Sequence, residues 1–181
     1  MTVAASNLVE LGERAIQQHA ALPAFGTRAA DGFTWLSYGA WGEAVAACRA
    51  GLAGLGVGPG DRVSIVANNR VEWAVVAYAT YGRGAALVPM YEAQRAEEWR
   101  YVLADSGARV VVAGRPDIAT ALRAQQAGLA SLEHVLSLEA PAADPSSYAA
   151  LLARGRAAPV PALTPAAGDV AGVIYTSGTT G

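Results

Sequence analysis

Cysteine, histidine and charge are all scarce in this 181-residue chain, with one cysteine, two histidines and only 15% charged residues. A lone Cys48 permits no intrachain disulfide and fits a reducing compartment. His19 and His134 have no partner at metal-ligand spacing, so no metal site is expected. The formal net charge of −2 comes without any cluster of basic residues, which argues against a nucleic-acid footprint. No run approaches the ~20 apolar residues that span a bilayer. The first residues, MTVAASNLVELGERA, have neither a basic n-region nor an apolar h-region, so no signal peptide is expected. These absences together predict a cytoplasmic protein.

What is present is apolar: 53% of the residues are hydrophobic, many of them alanine, which suits tightly packed helices. A chain of this size hides roughly 70% of its unfolded surface when it folds, enough for one substantial core. Disorder is excluded for most of its length.

Short apolar runs alternate with helix-period stretches, predicting an α/β domain with a doubly wound, largely parallel sheet and helices on both faces. Asn7 is placed to cap a helix carrying Leu8, Leu11, Ala15 and Ile16. Two short strands, Ala24–Thr27 and Phe33–Leu36, flank the turn pair Asp31-Gly32. Ser37 is placed to cap a helix from Tyr38 to about Leu55, stopped by Gly56, Gly58, Pro59 and Gly60. Buried strands are expected at Val63–Val66, Ala85–Pro89, Arg109–Ala113, His134–Leu138 and Val170–Tyr175. Helices are expected at Val71–Tyr81, Ala96–Leu103 and Pro116–Ala127. Between Pro141 and Pro165 the texture changes to Ala, Pro and Ser, with a short helix near Ser147–Ala153. Trp35, Trp41, Trp73 and Trp99 are read as packing residues, and Cys48 as a small buried hydrophobe.

The last expected strand runs into Thr176, Ser177, Gly178, Thr179, Thr180 and Gly181. Two glycines let backbone N–H groups converge on one concavity. Four hydroxyls add donors for phosphate oxygens and lone pairs for Mg²⁺. The run is neither G-x-x-x-x-G-K-[ST] nor a dinucleotide fingerprint, and a bare Ser/Thr/Gly-rich turn would have the same composition. Gly56–Gly60 is read as a helix stop, with Asp61-Arg62 serving caps or an ion pair. Asn68-Asn69 and Tyr91-Glu92 lie beyond the carboxyl ends of strands, where asparagine suits a turn and a ligand is within reach.

Asp169-Val170-Ala171-Gly172-Val173-Ile174-Tyr175-Thr176-Ser177-Gly178-Thr179-Thr180-Gly181 resembles the signature of the AMP-forming adenylate superfamily: acyl-CoA synthetases, luciferases and peptide-synthetase adenylation domains. Earlier segments resemble the same family in the same order. They are Thr34–Tyr38, Gly56–Val63, Asn68–Trp73, Gly84–Tyr91 and Tyr101–Ala108. Gly39-Ala40-Trp41 departs from the family's usual E-L on a helix surface.

The resemblance implies that residues 1–181 are the N-terminal part of an AMP-binding domain, truncated at its phosphate-binding loop. It assigns the ATP β- and γ-phosphates to Thr176, Ser177, Gly178, Thr179, Thr180 and Gly181. It implies ATP and Mg²⁺ as cofactors, a carboxylate substrate and CoA as acyl acceptor. The catalytic lysine, the ribose-binding aspartate and the magnesium-binding glutamate would lie downstream, leaving no catalytic residue within this chain. Val88–Ala93 resembles long-chain fatty acid–CoA ligases most. An acyl-AMP ligase, a peptide-synthetase domain and a non-catalytic binding fragment stay open as alternatives. Peripheral membrane contact also stays open.

Overall fold

The computed structural model describes residues 5–176. Helix α1 (Leu8–Gln18) begins where Asn7 accepts a hydrogen bond from the Glu10 N–H, satisfying one of the free first-turn amides. Strands β1 (Pro23–Ala29) and β2 (Gly32–Ser37) form an antiparallel hairpin. Its turn is Ala30-Asp31, one residue earlier than expected. Gly32 pairs with Ala29 at φ +128, a conformation that side chains disfavour. Ser37 caps α2 (Tyr38–Gly54) by accepting the Ala40 N–H.

The main sheet is parallel throughout, in the order β4-β3-β5-β6: β3 (Arg62–Val66), β4 (Ala86–Met90), β5 (Val110–Ala113) and β6 (His134–Ser137). Alternation along these strands divides the core between two faces. Val63, Ile65, Leu87, Val112 and Leu136 meet α2, α3 (Val71–Tyr81) and α6 (Tyr148–Ala157) on one face. Val66, Val88, Met90, Val111 and Val135 meet α4 (Ala96–Ser106) and α5 (Pro116–Gln126) on the other. This is the doubly wound arrangement read from the sequence. Its order reverses between β3 and β5, the point where such sheets take ligands.

Two expectations need correction. Val170–Tyr175 is not a strand of the sheet: it runs extended beside β4, joined by one parallel bridge, Leu87 to Gly172. Its inward residues, Val173 and Tyr175, pack on the core, while Val170 and Ile174 are 66% and 76% exposed. One-sided burial stops the ladder from extending among the described residues. Trp41 and Trp99 are buried and Trp73 packs against the core, but Trp35 is 60% exposed, its ring leaning on Phe33. The hairpin that carries Trp35 forms a sheet of its own and reaches the core through Phe25 and Leu36, not through Trp35. Asp61 and Arg62 serve as the expected caps, and Asp61 forms an ion pair with Arg109 at 3.5 Å. The Asp61 carboxylate accepts the Gly58 N–H, while Arg62 donates to the carbonyls of Gly60 and Ser106.

Candidate functional site

Chemistry-bearing residues gather at the carboxyl edge of the sheet, because every strand of it points the same way and each strand-to-helix turn opens there. The segment that begins at Val170 runs parallel to β4, so it delivers Thr176 toward this edge. Two backbone hydrogen bonds hold it: Leu87 N–H to Ala171 O and Val173 N–H to Leu87 O, both 2.9 Å. Its inner aromatic residue, Tyr175, donates from its hydroxyl to Asp105 Oδ2 at 2.6 Å and meets Tyr101 edge-on at 6.3 Å. Burial, and then the bond to Asp105, pushes the Tyr175 phenol up to about 12. Thr176 itself is exposed. Beside it lies an open cavity of about 360 Å³ lined by Gln94, Glu97, Glu98, Tyr101, Val102 and Tyr175. Ser177, Gly178, Thr179, Thr180 and Gly181, the rest of the expected phosphate loop, lie outside the described residues.

Asn68 and Glu92, two separate strand-end candidates in the sequence, are brought together. Glu92 Oε1 accepts the Asn68 backbone N–H and Oε2 accepts Asn68 Nδ2, each at 2.9 Å. Asn69 is exposed. Tyr91 is 75% exposed, yet its backbone is fixed: its N–H donates to Gln94 Oε1, and its carbonyl accepts Trp99 Nε1.

Arg70, which no local pattern singles out, proves to be a hub. It donates to Glu72, to Glu139 and to the carbonyl of Gly114, joining the exits of β3, β5 and β6. The Glu72 hydrogen bond, then that of Glu139, lifts the Arg70 guanidinium above its ordinary range against the pull of burial. Burial raises the Glu72 carboxyl, but Arg70 and a backbone amide together bring it below the usual carboxylate range. On the next turn Arg115 pairs with Asp117, holding that carboxyl low.

A cavity of about 490 Å³ lies elsewhere. Leu8, Leu11, Gly84, Ala85, Pro165 and Val170 line it, around the residues just before β4. It therefore sits at the amino end of the strands, away from Thr176. Among the described residues no helix is long and apolar enough to cross a membrane, and no group of three or more His, Cys, Asp or Glu is placed to hold a metal ion.

Residues 12–181 match the family described as AMP-binding enzyme. The chain belongs to the AMP-binding enzyme family. Its relatives in that family include the long-chain-fatty-acid–CoA ligase FadD15 of Mycobacterium bovis, 37% identical over 150 residues. That match covers 76% of this chain and 23% of the relative. The long-chain-fatty-acid–CoA ligase FadD13 of Mycobacterium tuberculosis is 34% identical over 136 residues, covering 74% of this chain and 25% of the relative. Among solved structures, the inhibitor-bound N-terminal domain of FACL13 from Mycobacterium tuberculosis superposes with a TM-score of 0.80 at 27% identity. It covers 97% of this chain and 42% of that one. The chain thus spans about a quarter of the length of these curated AMP-binding relatives.

Proposed function

We propose that residues 1–181 are the N-terminal part of the AMP-binding domain of a cytoplasmic, ATP-dependent fatty acyl-CoA synthetase. The observation that carries this reading is the 37% identity with a long-chain-fatty-acid–CoA ligase. In the proposed reaction a carboxylate oxygen attacks the α-phosphorus of ATP, and the bond to the bridging oxygen breaks. Pyrophosphate leaves with the electron pair, and the acyl group then passes to the sulfur of CoA as AMP departs.

Within this chain the assigned role is phosphate binding, by Thr176, Ser177, Gly178, Thr179, Thr180 and Gly181. The donor chemistry fits: hydroxyl and amide groups follow a segment that runs toward the carboxyl edge of the sheet. Mg²⁺ would neutralise charge on the departing pyrophosphate, with Thr and Ser hydroxyls able to ligate it. The chain has no lysine, its thirteen basic residues all being arginines, so it offers no ammonium to a developing negative charge. No residue here is assigned a catalytic role, and the chain alone should release no pyrophosphate from fatty acid, ATP, Mg²⁺ and CoA.

Titration of the chain with MgATP tests the reading. Hydrogen bonds to charged groups are each worth roughly 1.5–3 kcal/mol, opposed by roughly 1–2 kcal/mol for each loop residue ordered. The expected dissociation constant is on the order of 1 mM, about 4 kcal/mol of binding, with amide shifts centred on Thr176. The double variant Ser177→Ala, Thr179→Ala should lose this binding. Indifference to both substitutions, or shifts centred away from Thr176, would remove the assignment. For the complete gene product, acyl transfer to CoA supports the synthetase, whereas transfer only to a carrier protein would replace it with a carrier-directed ligase.

A further inference from the structure

The reversal point of this sheet, between the carboxyl ends of β3 and β5, is the place where a doubly wound fold ordinarily receives a ligand. Its features suit an anion. Helices α3 and α5 start on either side of it, and neither Arg70 nor Arg115 at their caps makes a side-chain capping bond. The dipoles at these helix starts favour negative charge, part of which Glu72 and Asp117 already supply from the first turns. The Asn68 N–H and Nδ2 supply two convergent donors. Both donors are taken by the chain's own Glu92.

Glu92 gets there by crossing over a strand. It leaves the end of β4, passes the exit of β3 at Asn68, and reaches β5 on the far side. A Cβ built on Gly114 would stand 2.4 Å from Glu92 Oε1, and 3.0 Å from the Ala67 Cβ. The missing side chain at Gly114 is the room that the carboxylate occupies. The Gly114 N–H meanwhile continues the ladder to Val66 O at 2.8 Å, so the glycine cannot move aside. The charge of Glu92 also acts on Arg115.

We propose that Glu92 is a resident anion, filling the reversal-point crevice and strapping the β4 exit loop across β3. Small phosphates and carboxylates are excluded from this crevice in the native chain, and removing the Glu92 side chain opens it to them. The inference does not depend on the ATP assignment, and its signals, at Asn68 and Gly114, are separate from those at Thr176.

The test uses inorganic phosphate as probe, at constant ionic strength, and follows the amide resonances of Asn68 and Gly114 in the 181-residue chain. Glu92→Ala should give saturable shifts at both, at phosphate concentrations at least about tenfold below any response of the native chain, as expected for one freed charge-assisted hydrogen-bond site. Glu92→Gln, which keeps the reach but loses the charge and one of the two acceptor oxygens, should respond to phosphate between the native chain and Glu92→Ala. The inference is overturned if native Asn68 titrates as readily as in Glu92→Ala, or if Glu92→Ala gives no response. It is equally overturned if Glu92→Gln excludes phosphate as fully as the native chain does, since occupancy rather than charge would then decide.

Discussion

Gly155 on α6 and Gly51 on α2 face each other across a contact too close for a side chain. A Cβ on Gly155 would lie 1.8 Å from the Ala47 carbonyl oxygen and 2.8 Å from the Gly51 nitrogen, and one on Gly51 would lie 2.6 Å from the Leu151 oxygen. The obstacles are backbone atoms, so a substituent can be accommodated only by moving a helix. Replacing glycine by alanine in a helix gains about 1 kcal/mol in propensity, but overpacking costs roughly 1–3 kcal/mol and occasionally more. Gly155→Ala should therefore destabilise by about 3 kcal/mol, and Gly51→Ala somewhat less. Gly54, also in α2, has nothing within 4 Å of a built Cβ. Gly54→Ala should stabilise by about 0.5–1 kcal/mol. Urea midpoints of the three variants check the ordering, and a stable Gly155→Ala would show that α6 can slide.

Burial pushes the Cys48 thiol up to about 12, because a thiolate in the core between α2 and the sheet would be desolvated. The sign follows from linkage. The folded value lies above the unfolded one, so this group's contribution is intact below about pH 8.5–9 and declines as pH rises toward the folded value. Stability should fall by up to about 1.4 kcal/mol per pH unit just above pH 9. Cys48→Ala should flatten the slope between about pH 8 and 9, below the ordinary tyrosine range. An unchanged slope in the variant would assign the loss to another group.

At the acid end the direction reverses. Asp117, held low first by Arg115, and Asp144, held low first by Ser146, have folded values below their unfolded ones, as does Glu72. Their contribution is present above about pH 4 and is lost as pH falls through the folded values. Urea midpoints should hold level between pH 5 and 8 and drop toward pH 3. A midpoint that rises on acidification would contradict these pairings.

The Tyr175 hydroxyl bond to Asp105 ties the segment beginning at Val170 to α4. In Tyr175→Phe the ring remains and the bond is lost, at a cost of roughly 1 kcal/mol at this partly exposed position. Amide exchange of Leu87 and Val173 should speed up about fivefold, while Val111 and Val112 at the centre of the sheet stay unchanged. Equal exchange in native and variant chains would mean that the backbone bonds to Leu87 suffice.

Much of this architecture is legible in the sequence because its signals are local. Asn7, Ser37 and Ser147 each cap the helix that follows, and the buried strands stand out as apolar runs bounded by turn residues. Val170–Tyr175 misleads for a physical reason: alternation reports an extended backbone with one face inward, and says nothing about how many partners flank it. Trp35 misleads because hydrophobicity does not reveal that its hairpin lies outside the main sheet. The Asn68–Glu92 contact and the Arg70 hub join side chains from different strand exits, and no local pattern encodes such a meeting. Gly114 carried a faint sign of it, a glycine directly after a strand, but the carboxylate that demands it is specified elsewhere in the chain.

The bridge between Leu87 and Gly172 joins parts of the chain farther apart in sequence than any two strands of the main sheet. Closing a longer loop costs more entropy, and here few contacts repay it. On a ribosome adding about 5–20 residues per second, several seconds separate the emergence of β6 from that of Ile174. Small domains commonly fold within such an interval. The parallel sheet can thus assemble before the segment carrying the residues assigned to phosphate binding has emerged, so changes in that segment can alter its chemistry while leaving the fold's birth untouched.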